Sequence, residues 1–183
     1  MNLANRITLI RICLIPVFLI VLYLLPQPFN FMISSFIFIA AAATDGIDGY
    51  IARNYNMVTN LGKFMDPLAD KLLVAAAFIA FVDLSLLTAW IVIVILSREF
   101  IITGLRAIAA EKGVVIAASA MGKFKTVSQI VAIVLLLWLA AGWLSGNVWQ
   151  VIVQVIVYLA LFFTVYSGIE YIYNGRSFLF KDR

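Results

Sequence analysis

The sequence predicts an all-α, polytopic membrane protein: six transmembrane helices, a short interfacial segment at the N-terminus, and both termini in the cytoplasm. Three observations carry this. Of 183 residues, 65% are hydrophobic and only 12% charged, whereas a soluble globular chain carries about 25% charged residues. Six apolar stretches, near 8–25, 31–53, 67–82, 86–108, 124–142 and 148–172, approach the roughly 20 residues that a helix needs to cross a bilayer. The basic residues then fall on one side of that plan.

The elements follow in order. Residues Met1–Arg6 are read as lying flat at the interface with Arg6 among the headgroups. The first helix ends at Pro26-Gln27-Pro28, where proline cannot continue a helix. The second runs into a connection from Asn54 to Gly62. The third begins before its apolar run, because Leu61–Lys71 is compatible with helix and Pro67 is tolerated near a helix start. Asp83 marks the next break, Glu111–Gly122 the one after, and Gly142–Asn147 the last. Residues 1–183 are read as a single membrane domain.

Arg6 and Arg11 precede or open the first helix, and Arg53, Lys63 and Lys71 surround the second connection. Arg98, Arg106, Lys112, Lys123 and Lys125 lie on or around the fourth connection, and Arg176, Lys181 and Arg183 form the tail. The first, third and fifth connections contain no Lys or Arg. Positive residues gather on the cytoplasmic side, so a chain of six helices places both termini there. Losing one helix would scatter the charges over both faces.

Composition also excludes functions. The net charge of +4 is too thinly spread for a stripe that tracks nucleic-acid phosphates. With no histidine and the single Cys13, nitrogen- or sulfur-ligated metal is excluded. Any metal held by the protein must be bound by oxygen. No small-residue cleavage site follows the first apolar stretch, so Met1–Leu25 is read as retained sequence.

Four of the nine acidic residues crowd between positions 45 and 70. Acidic groups in or beside spanning helices are expensive and suggest function. At about 100° per residue, Asp45, Asp48, Gly49 and Ala52 share one face of a helix, and Gly62, Lys63, Asp66 and Asp70 share a face of the next. Two antiparallel helices would turn the four carboxylates toward one point, with small residues leaving room beside them. Such a set suits Mg²⁺, Mn²⁺ or Ca²⁺, and two ions would clamp a pyrophosphate. The plainer alternative is that these acids pair with Arg53, Lys63 and Lys71.

The run Asp45-Gly46-Ile47-Asp48-Gly49-Tyr50-Ile51-Ala52-Arg53, followed by Gly62, Asp66 and Asp70, resembles the complete signature of the CDP-alcohol phosphotransferase family. All its fixed positions are present, and the family's six-helix plan fits the whole chain. The resemblance implies that Asp45, Asp48, Asp66 and Asp70 hold divalent metal, Mg²⁺ or Mn²⁺, as two ions. It implies that Asp70 is also the general base on the acceptor alcohol. It places Gly49, Ala52, Arg53 and Gly62 along the CDP-lipid. A homodimer is implied as well.

Outside the signature, Arg98 and Glu99 interrupt the fourth apolar stretch, and Arg98 stands roughly 12 Å along the helix from Arg106. Glu99 is about 100° around the helix from Arg98, so another acid or a ligand phosphate is the expected partner of Arg98. Arg98, Arg106, Lys123 and Lys125 are therefore candidate binders of an acceptor that carries a phosphate. The bland alternatives are interfacial anchoring for the lysines, positive-inside placement for Arg106 and a structural ion pair for Arg98. The blocks 2–11, 61–73, 97–100 with 104–106, and 122–129 are similar to family members that join CDP-diacylglycerol to sn-glycerol 3-phosphate. Inositol phosphate is the rival acceptor. A cation transporter is the rival of another class, but such sites lie near the midplane between repeated halves, and no matching second half is present.

Overall fold

In the computed structural model of the protein, the described residues are 3–54, 60–111 and 120–179, with side-chain surroundings described for 8–44, 68–69, 71–109 and 121–173. Among them the chain forms six α-helices and no strand: α1 Leu3–Leu24, α2 Phe29–Asn54, α3 Asn60–Asp83, α4 Ala89–Glu111, α5 Ala120–Ala140 and α6 Asn147–Leu179. Each covers one of the six expected apolar stretches. α3 starts at Asn60, ahead of its apolar run, as Leu61–Lys71 suggests. Helix α1 corrects one expectation. It is continuous from Leu3, so residues 3–6 extend the first helix and do not form a separate flat segment. No Gly or Pro stands between Arg6 and Thr8 to break it.

Contacts between elements show that successive helices alternate in direction. Near the start of α1, Arg11 meets Thr44 in the second half of α2, and near its end Tyr23 lies beside Asp83 at the end of α3. Trp90 faces Tyr158 and Arg98 reaches Ser167, so α4 and α6 run parallel. Lys125 meets Glu99 and Gln129 meets Thr164, so α5 runs against both. One end of the bundle therefore gathers the start of α1, the end of α2, the start of α3, the end of α4, the start of α5 and the end of α6. The opposite end holds the short connections 25–28, 84–88 and 141–146.

Two of those short connections close by the same device. After α5, the Trp143 amide donates to the Trp138 carbonyl at 3.0 Å and the Gly142 amide to Leu139 at 3.1 Å, a Schellman arrangement with Gly142 left-handed at φ 78°. After α3 the same pattern forms with Leu86 on Phe81 and Ser85 on Val82, at 2.8 and 3.0 Å. Here Ser85 takes the left-handed position at φ 58°.

The core changes character along the bundle axis. Phe18, Phe38, Phe78, Phe81, Ile95, Ile133, Leu137 and Val153 are fully buried and draw on every helix, with the Phe18 and Phe38 rings 6.1 Å apart. The buried charged residues, Arg11, Glu99 and Lys125, stand toward the basic end with Thr8, Gln129, Thr164 and Ser167, while Asn30, Ser34 and Ser35 are buried toward the other end. The outer faces are apolar, with Ile79, Ile93, Phe100, Phe162 and Ile169 exposed, as a helix facing lipid requires. Among the described residues, Met121–Ala140 and Asn147–Tyr173 are long and apolar enough to cross a membrane, and Thr8–Leu24 and Phe29–Thr44 are shorter apolar helices.

Candidate active site

The signature residues lie at the basic end of the bundle, where α2 finishes and α3 starts. Helix α2 runs unbroken through Asp45, Asp48, Gly49, Ala52 and Arg53 to Asn54, and α3 carries Gly62, Asp66 and Asp70 from its first residue, Asn60. The register therefore puts Asp45 and Asp48 one turn apart on α2, and Asp66 and Asp70 one turn apart on α3. α2 and α3 pack against each other. The surroundings of Asp45, Asp48, Gly49, Ala52, Arg53, Gly62, Asp66 and Asp70 lie outside the described residues. The donor set fits a hard divalent cation: four carboxylates on two adjoining helices, with no histidine in the chain and its only cysteine, Cys13, on the exposed surface of α1.

The structure adds a residue that the sequence reading used only for its charge. Arg11 is completely buried. Its Nε donates to Thr44 Oγ1 at 3.2 Å, and that hydroxyl donates to the Ala41 carbonyl at 2.6 Å. Thr44 immediately precedes Asp45, so a buried guanidinium on α1 braces the helix turn that opens the signature. Thr8, buried one turn before Arg11, was the available sequence signal: a polar residue and an arginine on one face of an otherwise apolar helix. Loss of a hydrogen bond to a charged group costs about 1.5–3 kcal/mol, or roughly 3–12 °C of melting temperature for a chain of this size. Arg11→Met should show that fall in detergent-purified protein, and Arg11→Lys should recover only part of it, because an ammonium lacks the planar fork. An unchanged melting temperature in Arg11→Met would remove the brace.

The four basic candidates divide into two pairs. Arg106 and Lys123 are exposed near the basic end. Arg98 and Lys125 are held by the protein itself, on one acid. Lys125 is buried, with Nζ 2.7 Å from Glu99 Oε1, and Arg98 Nη1 lies 3.3 Å from the same oxygen. Glu99 thus proves to be the partner of Arg98 despite its position about 100° around the helix: the arginine side chain lies against Ser167 and Gly168 of α6, and its other guanidinium nitrogen still reaches Glu99 Oε1. Burial of Lys125 likewise replaces the interfacial-anchor alternative for that residue.

From Glu99 the polar contacts continue into α6. Arg98 Nη2 donates to Ser167 Oγ at 3.1 Å, and the Gln129 amide donates to Thr164 Oγ1 at 3.0 Å. Gly168 makes the approach possible: a Cβ there would stand 3.0 Å from Arg98 Cγ. Toward α3, Glu99, Lys125, Thr126 and Gln129 share a small cavity of about 20 Å³ with Lys71, the residue after Asp70. Sequence reasoning set Glu99 aside as the partner of Arg98 and missed Gln129, Thr164 and Ser167. Polar residues inside apolar stretches were the signal for all four.

Comparison with known proteins identifies the family. The family model for CDP-alcohol phosphatidyltransferases matches residues 1–166. The chain is similar to the CDP-diacylglycerol–glycerol-3-phosphate 3-phosphatidyltransferase of Bacillus subtilis, at 46% identity over 93% of both chains. It is similar to the enzyme of the same name in Haemophilus influenzae, at 38% identity over 99% of this chain and 97% of the relative. A probable phosphatidylglycerophosphate synthase of Mycobacterium tuberculosis is 39% identical over 93% of this chain and 80% of its own length. A family-model match over most of the chain, together with the 46% identity to the Bacillus subtilis relative, places this protein in the CDP-alcohol phosphatidyltransferase family.

Proposed function

We propose that the protein transfers the phosphatidyl group of CDP-diacylglycerol to sn-glycerol 3-phosphate, giving phosphatidylglycerophosphate and CMP. The observation that carries this reading is the identity of 46% over nearly the whole chain to a relative bearing that activity in its name. The signature and the buried basic set on α4 and α5 support it. The chain crosses the cell membrane six times as one membrane domain, with both termini and the active end in the cytoplasm and a second copy as its partner. The alternation of the helices and the gathering of Lys and Arg at one end support that orientation.

In this mechanism Asp70 accepts the proton of the primary hydroxyl of glycerol 3-phosphate. The freed oxygen attacks the phosphorus that bears the diacylglycerol, and the bond from that phosphorus to the oxygen of CMP breaks. CMP leaves with the bonding electron pair, and Arg53 would neutralise part of the charge it carries away. Asp45, Asp48, Asp66 and Asp70 would hold two divalent ions, Mg²⁺ or Mn²⁺, which when bound neutralise charge on the pyrophosphate. Gly49, Ala52 and Gly62 leave room for the nucleotide against the helix backbone. Arg106 and Lys123 draw the phosphate of the acceptor, beside the cations held on Glu99. The work of the protein is positioning and electrostatics, as in phosphoryl transfer generally.

The lipid tails have a path from the same place. An apolar groove of about 480 Å³ runs between α1 and α3, lined by Ile12, Pro16, Leu19, Leu72, Ala76 and Ile79. Its lining on α3 runs from Leu72, two residues beyond Asp70, to Ala80, toward the opposite end of the bundle.

The test is release of CMP from purified protein given CDP-diacylglycerol, divalent metal and one alcohol at a time. Release with glycerol 3-phosphate and not with inositol phosphate, serine or glycerol is the expected result. Release with inositol phosphate alone would keep the transfer chemistry and overturn the acceptor.

A further inference from the structure

The groove between α1 and α3 has a definite length. Its walls are two helix faces that run in the same direction, with Ile12, Leu19 and Tyr23 along α1 and Leu72, Ala76 and Ala80 along α3. From Ile12 to Tyr23 a helix rises about 16 Å. The hydrocarbon core of a bilayer is about 30 Å thick, so the chains of one leaflet reach about 15 Å. The groove is therefore as long as one acyl chain. Its volume of about 480 Å³ is that of one chain as well. A methylene fills about as much space as a water molecule, roughly 30 Å³ in the liquid, so the groove holds on the order of sixteen of them. The second chain of a diacyl lipid stays in the bilayer.

Small residues make the hollow: Ala76 and Ala80 leave space that a larger side chain on α3 would fill. At the far end stands the largest side chain of the lining, Tyr23, 46% exposed. Asp83 lies beside it at the end of α3. A chain that runs past this point meets an aromatic ring and then a carboxylate, or bends out of the groove. Hydrophobicity does not select the length, because lipid tails are as apolar as the groove. A methylene moved from bilayer to groove gains little, so selection falls to the fit at the far end.

We propose that Tyr23 sets the acyl-chain length of the CDP-lipid: one chain lies in the groove between α1 and α3, and the Tyr23 ring stops it at about sixteen carbons. This rests on the reading of the donor as CDP-diacylglycerol and adds the residue that selects among its chains. The near end of the groove suits that donor, since Leu72 stands two residues beyond Asp70.

The test is a competition. CDP-lipids with two hexadecanoyl or two icosanoyl chains are mixed in equal amounts in the same detergent micelles, and the two products are counted by mass spectrometry. Their ratio is the ratio of kcat/KM values, whatever the total rate. Wild type is expected to favour the hexadecanoyl lipid by about fivefold, less than the discrimination of a closed pocket because the groove is open along its side. Tyr23→Ala is expected to bring that preference below about twofold, and Tyr23→Phe, which keeps the ring, to preserve it. Ala76→Leu fills the groove midway and should move the preference the other way, toward dodecanoyl over hexadecanoyl chains. Should Tyr23→Ala fail to fold, Tyr23→Leu reads the same shift at smaller size. A folded Tyr23→Ala with the wild-type ratio would overturn the inference, as would a wild type that uses both chains equally. A Tyr23 that only anchors the helix at the interface would slow both lipids alike and leave the ratio unchanged. A shift in Tyr23→Phe as large as in Tyr23→Ala would overturn the ring as the stop. Wild type that makes no product with glycerol 3-phosphate would overturn the acceptor reading instead, and the same competition with the alcohol it does use then decides the role of Tyr23.

Discussion

Asp70→Asn should release CMP at least about a hundredfold more slowly than wild type, since a positioned general base contributes roughly 10²–10⁴ in rate. Asparagine matches the size of aspartate, so α3 should keep its helix from Asn60 through Asp83. What it loses is the ability to take the proton from the acceptor hydroxyl. It also removes one negative donor from the carboxylate set, so the loss should exceed that of the base alone. The discriminating measurement is single-turnover CMP release at saturating acceptor, on protein with the melting temperature of wild type. Retention of full turnover would sink the assignment of the base. The same variant should leave KM for glycerol 3-phosphate nearly unchanged. The kcat should carry the loss, as for a group that acts mainly in the transition state.

Removing divalent metal should abolish CMP release altogether. Asp45, Asp48, Asp66 and Asp70 are acceptor-only groups when ionised, and a pyrophosphate brought beside them without cations meets like charge on like. EDTA should therefore stop the reaction, and Mg²⁺ or Mn²⁺ in excess should restore it. The carboxylate and phosphate oxygens favour hard cations over soft ones. Asp48→Asn should raise the concentration of Mg²⁺ needed for half-maximal rate, with melting temperature measured beside it. CMP release that persists through exhaustive chelation would mean that the aspartates serve only to pair with Arg53, Lys63 and Lys71.

Much of the fold was legible in the chain because each helix is announced locally. Pro26 and Pro28 end the first, Gly142 closes the fifth with its left-handed turn, and the apolar runs are long enough to be read one at a time. The Ser85 turn was less visible, since nothing in a serine demands a φ of 58°; the Schellman hydrogen bonds onto Phe81 and Val82 impose it. The flat N-terminal segment failed for a similar reason. Its polar composition suits an interface, but the helix runs on from Leu3 with no Gly or Pro before Pro16 to interrupt it.

Within the candidate site, the register of the aspartates on α2 and α3 could be read from spacing, because i and i+3 or i+4 on a helix share a face whatever the helix packs against. The fate of the basic residues could not. Arg11 is bound to a residue 33 positions away, Lys125 to one 26 away, and Arg98 to one 69 away. Each pairing depends on how far one helix has slid along another. Lys123 and Lys125 illustrate it: two residues apart in sequence, they stand about 200° apart around α5, so one is exposed and the other is buried on Glu99.

The sequence by itself determined six helices, their alternation and the end at which charge collects, since hydropathy, turn chemistry and helical period are properties of short segments. It also determined the family, because the aspartate signature is contiguous enough to be recognised. Only the tertiary structure decided which cations are held and by what. A buried charge must find its partner within a few ångströms, and that partner is set by the packing of α4 and α5 against α6, which no local pattern specifies.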